Sequence, residues 1–312
     1  DRVGLWSLPI IARLRRPRST RHARAMTPAR PMPILRAPID PPIARMLWLP
    51  ALGVPARKYE RFADALAERG IAVALHEWRG TGECGWRAGR SADWGYREWL
   101  LEDIPASVAD MMRELPPAPL LLAGHSIGGQ HALIAAALGV DASGIVAVGS
   151  GVPHWRLFPS LKGRAAVGGF ALALPALTRA VGHYPGQRLG FAGRESGQLM
   201  RDWAQTVRRG RYSGLRGLPE DLDARMRAVR APMLGLRFTD DWLVPAGSMD
   251  ALLAAGGGES EHQIIDTATL GTRADHFAWL REPAVPAERI AAWWRARLPR
   301  AGQGLEGAAL SS

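Results

Sequence analysis

The chain is 312 residues long, 47% hydrophobic and 22% charged, with a formal net charge of +11. That length buries a sizeable core and exceeds a minimal domain, so one main domain with an insertion or tail is expected. A single cysteine, Cys84, excludes a disulfide framework and a cysteine-based zinc site, and fits a reducing cytoplasm, the compartment expected here.

Most of the charge sits at the start. Residues 1–36 hold nine arginines against one aspartate, which leaves +3 for everything after them. The run has neither an aromatic ladder nor regular spacing, so it reads as a solvated, unstructured basic tail and no nucleic-acid partner is expected. Its apolar stretch precedes most of the arginines, the reverse of a secretory signal, so no export is expected; Met26, ahead of a Pro-rich segment, fits a start placed upstream of the natural one. No integral membrane segment is expected either: the longest apolar run, "AAVGGFALALPAL" at 165–177, falls short of the roughly 18 residues a span needs and contains Pro175.

From Met46 onward, strand-like and helix-like segments alternate. "MLWLP" reads as a strand, "KYERFADALAERG" as a helix, "IAVALHEW" as a strand, "GYREWLLEDIPASVADMMREL" as a helix and "PLLLAGHS" as a strand. Helix "IGGQHALIAAALG" and strand "GIVAVGS" follow, and then an Arg- and Gly-rich interruption over about 151–230 with helical apolar stretches and no clear strand. The rhythm resumes with strand "APMLGLRF", helix "GSMDALLAAGG", strand "HQIID" and helix "PAERIAAWWRARL". This is the pattern of a mostly parallel sheet with helices on both faces, and the interruption reads as a helical insertion over the carboxyl ends of the strands. The closing "AGQGLEGAALSS" lacks periodicity and reads as a disordered tail.

Ligand sites of such sheets lie beyond the carboxyl ends of the strands. Gly124-His125-Ser126-Ile127-Gly128 stands there, between a strand and a helix, and matches G-x-S-x-G, the turn that presents a nucleophilic serine. A serine hydroxyl needs a base and a group to orient that base, and in this arrangement they follow in the order Ser, then Asp or Glu, then His. The strand "MLGLRF" runs into Asp240 and Asp241, and the loop after the last strand holds His276. Asp241 is favoured over Asp240 because it stands four residues before Pro245. The other seven histidines, His125 among them, are expected to be structural or substrate-facing. An oxyanion hole requires the N–H of the residue after the nucleophile, Ile127, and a second from the loop after an early strand, for which Leu52 beside Gly53 is the candidate.

Taken together, "LPALGVPARKYERFADALAERGIAVALHEWRGTGE", "GHSIGGQ", "HYPGQRLGFAGRESGQLMRDWA", "FTDDWLVP" and "DHFAWLRE" resemble the α/β-hydrolase superfamily, and within it the bacterial serine-aminopeptidase-like and monoacylglycerol-lipase-like proteins. The resemblance implies the α/β-hydrolase fold with a helical cap inserted after the sixth strand. It also implies Ser126, Asp241 and His276 as a catalytic triad, and Ile127 and Leu52 as oxyanion donors. The expected organisation is a tail over 1–36, core over 37–151, cap over 152–230, core over 231–300 and a tail over 301–312. The chain departs from the family pattern in three places: Asp275 stands where a glycine usually precedes the final histidine, Cys84 replaces a common serine, and only about twenty residues between Met26 and Arg45 are available for the first two strands.

The expected chemistry is hydrolysis of a small-molecule acyl ester through an acyl-enzyme, with no metal and no cofactor. Trp155, Phe158, Phe170, Leu172, Leu174, Tyr184, Phe191 and Trp203 in the cap favour a hydrophobic acyl group. The same triad serves acyl transfer to another acceptor or peptide hydrolysis, and a non-catalytic ligand-binding member of the fold is the reading from a different class.

Overall fold

The computed structural model describes residues 32–38, 40–82 and 84–299. The basic tail expected over 1–36 therefore lies almost wholly outside the described residues, and the C-terminal tail entirely so.

Among the described residues there are nine strands: β1 (Ile34–Arg36), β2 (Ala44–Leu49), β3 (Ile71–Leu75), β4 (Leu120–His125), β5 (Gly144–Val148), β6 (Tyr184–Pro185), β7 (Arg194–Glu195), β8 (Met233–Phe238) and β9 (Ser260–Ile265). Seven of them form one sheet in the order β1, β3, β2, β4, β5, β8, β9. Only β1 is antiparallel to its neighbour; every other pairing in that sheet is parallel. The leading edge among the described residues is thus one three-residue strand, in line with the short stretch available for it. For the same reason the insertion leaves the sheet after β5, the fifth described strand, rather than after a sixth.

The strands are buried on both faces, and the period of two sorts their side chains into two cores. Leu47, Leu49, Leu122, Ile145 and Ala147 enter one. Met46, Trp48, Leu121, Ala123, Val146 and Val148 enter the other. The helices are α1 (Glu60–Ala67), α2 (Tyr96–Glu98), α3 (Ile104–Glu114), α4 (Ile127–Ala137), α5 (Leu161–Val181), α6 (Gly186–Leu189), α7 (Gly197–Arg209), α8 (Leu222–Ala228), α9 (Ala246–Ala255), α10 (Thr267–Leu270) and α11 (Ala284–Arg295). Helices α1 and α11 pack together over the second core, and α3, α4, α8 and α9 contribute to the first.

Two local readings change. The single helix expected over 95–115 is α2 and α3 joined by a wider π turn at Trp99–Asp103, which presents Glu102 and Asp103 together to Arg79 at 2.6 Å each. The insertion, expected to lack strands, holds the two-residue antiparallel ladder β6–β7, with Tyr184 opposite Glu195 and Pro185 opposite Arg194.

Trp279 is the hub of the second core. It is fully buried, stacks on Phe238 at 5.7 Å and meets Phe62 and Trp48 edge-on at 5.2 and 6.3 Å. Removing its ring leaves a large cavity beneath the final loop, so Trp279→Ala is expected to cost about 3–5 kcal/mol, read as a lowered midpoint of urea unfolding. Leu172→Ser, at an exposed cap position, is expected to stay within about 0.5 kcal/mol of the parent.

Candidate active site

Strand β4 ends at His125, and Ser126 turns the chain into α4 with φ 56° and ψ −122°. Such a positive φ is costly for a residue with a Cβ and persists only where its surroundings enforce it. Here the Ser126 N–H donates to the Val148 carbonyl at 3.0 Å, and the Ser126 carbonyl accepts from the Ser150 hydroxyl at 2.6 Å and from the Gly129 N–H at 3.1 Å. Gly128 lets α4 approach β2 closely, because a Cβ there would collide with the Leu49 carbonyl oxygen. Ser126 is left half-buried, in the lining of a cavity of about 400 Å³.

His276 lines the same cavity. Its Nδ1–H donates to Asp241 Oδ2 at 2.7 Å, with both residues buried. Asp241 is fixed in turn by the backbone: its Oδ1 accepts the N–H groups of Leu243 and Val244 at 3.0 and 3.1 Å. Asp240 is exposed and accepts from the Thr267 hydroxyl at 3.0 Å, away from the imidazole. Of the two neighbouring aspartates, then, the structure pairs Asp241 with the histidine.

Ile127 and Leu52 both border the cavity. Between Leu52 and its neighbour, Leu52 is the available donor, because the Ala51 N–H already donates to the Tyr59 hydroxyl at 3.0 Å. That hydroxyl lies 2.8 Å from His125 Nδ1. With the Ala51 N–H occupying a lone pair and the phenol fully buried, the Tyr59 proton needs an acceptor, and Nδ1 is the one in reach. Burial, and after it the charge of His276, drive the His125 pKa well below its ordinary value, so this ring stays neutral. Its centroid is 4.7 Å from that of His276. The Tyr59–His125 contact spans 66 positions, a separation over which the sequence carries no local signal.

The cap supplies the roof. Gly190, Phe191, Ala192 and Trp203 face the cavity, with Phe191 and Trp203 at 5.8 Å between ring centroids. Gly53 on the oxyanion loop has φ +72°, and a Cβ on it would collide with the backbone of Ala192 and Gly193. Six of the eight apolar cap residues expected to face substrate are not in this lining. Phe158, Leu174 and Tyr184 are buried in packing, Trp155 and Phe170 lean on the first core, and Leu172 points to solvent with 67% of its surface exposed. Among the described residues no cluster of His, Cys, Asp or Glu could hold a metal ion, and no helix is long and apolar enough to cross a membrane.

A model of the family described as serine aminopeptidase, S33, matches residues 40–269, well over half of the chain. The chain belongs to the serine aminopeptidase S33 family. Solved structures share its α/β-hydrolase fold. One comes from the metagenome-derived lipolytic enzymes LipS and LipT, at 16% identity and TM-score 0.59, covering 85% of this chain and 97% of that one. A second is a monoacylglycerol lipase of Paleococcus ferrophilus, at 18% identity and TM-score 0.57, covering 85% and 98%. A third is an esterase domain from Rhodothermus marinus, at 20% identity and TM-score 0.53, covering 84% and 91%. At these identities the likeness is one of fold. No curated protein matches the chain.

In this S33 family member the departure at Asp275 has a local explanation. Burial pushes its carboxyl up, but the N–H groups of Ala278 and Phe277, together with Arg273 and His276, outweigh that and hold it below the usual carboxylate range. It caps the turn after the base, at 2.7 and 3.0 Å from those two N–H groups. Cys84, the other departure, is buried away from the cavity lining.

Glu195 is a titrating group held against the backbone of Gly193, beside Ala192 of the lining. It is buried, it accepts the Gly193 N–H at 2.9 Å, and burial, opposed by that bond, pushes its pKa up to about 7. Below the unfolded-state value near 4.5 the carboxyl is protonated in both states. As pH climbs towards 7 the unfolded chain ionises first, so the native protein loses stability through that window. Glu195→Gln is expected to match the parent at pH 4 and to exceed it above pH 7 by on the order of 3 kcal/mol, measured by denaturant unfolding across pH.

Proposed function

We propose that this S33 family α/β-hydrolase is a serine hydrolase that cleaves a small, predominantly apolar ester through an acyl-enzyme on Ser126. The observation that carries the reading is the buried Asp241–His276 pair, whose histidine lines the same cavity as a serine held at positive φ.

In this mechanism His276 removes the Ser126 proton through Nε2 while its Nδ1–H stays with Asp241, which fixes the tautomer and offsets the charge formed on the ring. Ser126 Oγ attacks the ester carbonyl, and the N–H groups of Ile127 and Leu52 receive the developing oxyanion. Each such donor is worth about 2.7–4 kcal/mol to the transition state. The tetrahedral intermediate collapses as His276 protonates the departing alcohol. Water, deprotonated by the same histidine, then releases the acid and restores Ser126. The chemistry calls for no metal or cofactor. Phe191, Trp203, Leu243 and Val244 give the cavity an apolar wall suited to an acyl chain. The similar structures, from lipolytic enzymes, a monoacylglycerol lipase and an esterase domain, support ester chemistry.

Labelling by a fluorophosphonate probe, followed by intact mass, tests the assignment. One adduct on the parent protein and none on Ser126→Ala or His276→Ala is expected. Asp241→Asn is expected to cut turnover of a nitrophenyl ester by about 10⁴, and Asp240→Asn to leave it within about twofold. A folded parent protein that takes up no label, or a labelled Ser126→Ala, overturns the reading.

A further inference from the structure

Two buried polar side chains outside the proposed chemistry line the cavity, Gln130 and Ser248, and of these Gln130 keeps an uncommitted donor. Gln130, on the first turn of α4, is 4% exposed and lines the cavity with Ser126. The remaining polar side chains around it are engaged or peripheral. Ser248 gives its hydroxyl to the Val152 carbonyl, Asp275 caps the turn after His276, and Arg273 is 71% exposed at the solvent side.

One end of the Gln130 amide is spoken for. The Tyr212 hydroxyl is buried, and its one hydrogen-bond partner among the described residues is Gln130 Oε1 at 3.1 Å, so its proton goes there. This fixes the amide orientation: with Oε1 committed to Tyr212, the NH₂ end is the free one. Among the described residues Nε2 has no hydrogen-bond partner, yet it is not one of the sealed unpartnered atoms, so it retains open space, which the cavity provides. A donor amide in an otherwise apolar wall favours a ligand that brings an acceptor and disfavours one that leaves the N–H groups dry.

We propose that Gln130 is a specificity-determining residue whose Nε2–H group donates to an ether, hydroxyl or carbonyl oxygen of the substrate other than the scissile one. The preferred substrates are then esters with such an oxygen near the scissile group, over their plain hydrocarbon counterparts. This rests on the serine-hydrolase reading above.

The test compares esters that differ by one oxygen in place of a methylene. Nitrophenyl methoxypropanoate is set against nitrophenyl pentanoate for the acyl side, and methoxyethyl acetate against butyl acetate for the alcohol side. Each kcat/KM is divided by the hydroxide-catalysed rate of the same ester, and the ether-to-hydrocarbon ratio is the readout. In the parent protein at least one pair is expected to favour the ether. Gln130→Leu is expected to lower that ratio roughly tenfold. Gln130→Glu keeps the shape and the acceptor for Tyr212 but removes the donor, so it is expected to lower the ratio as well, and it carries the test should Gln130→Leu fail to fold. Ratios equal in the parent and both variants for both pairs overturn the proposal and leave Gln130 as an anchor for Tyr212. A folded parent protein that turns over none of the four esters and takes no fluorophosphonate label overturns the hydrolase reading, and this proposal with it.

Discussion

Ser126 can hold φ 56° only because four neighbours deny it anything easier. The Val148 carbonyl takes its N–H, Ser150 and Gly129 donate to its carbonyl, and the Leu49 carbonyl presses against Gly128 on the far side of the turn. Apart from Gly129 on α4, those partners belong to β2 and β5, the strands either side of β4, and to the loop that follows β5. The strained serine is thus bound to the parallel order of the sheet centre: shift any of the three strands by a residue and the set of bonds that enforces the turn is lost.

The same centre places everything that faces the serine. Strand β8 neighbours β5 and delivers Asp241, and β9 neighbours β8 and leads into the loop with His276. Asp241 is anchored by two backbone N–H groups before it meets the imidazole, so the orienting carboxylate needs little rearrangement when charge forms on the ring. On the opposite side Tyr59 ties Ala51, and with it the loop that carries the Leu52 N–H, to His125 and so to the elbow itself. A neutral buried His125 adds no positive charge beside the His276 ring.

How much of this could be read from the sequence depended on the distance over which each feature is encoded. The alternation of strands and helices, the serine turn and the loop histidine are local patterns of ten residues or fewer, and they stand out in the sequence. The choice of Asp241 over Asp240 rested on the spacing to Pro245, and the structure sets Asp241 against His276. Contacts between distant segments left no trace: Tyr59 meets His125 across 66 positions, and Tyr212 meets Gln130 across 82. A polar glutamine in the apolar helix "IGGQHALIAAA" was the one available hint of the second. The cap was read least well because its apolar residues serve packing and cavity alike, and composition does not say which way Leu172 or Phe191 points.

The seam where Gly53 meets Ala192 and Gly193 joins the loop after β2 to the insertion between β5 and β8 by backbone against backbone. With no side chains between them there is no cushion to repack, so the two surfaces fit as moulded parts do. Caps are the natural unit to exchange when diversifying the chemistry of such a scaffold, but a transplanted cap would inherit this seam as a fixed coupling. It would have to bring a backbone turn of the same shape to residue 53, or be grafted together with the loop it rests on.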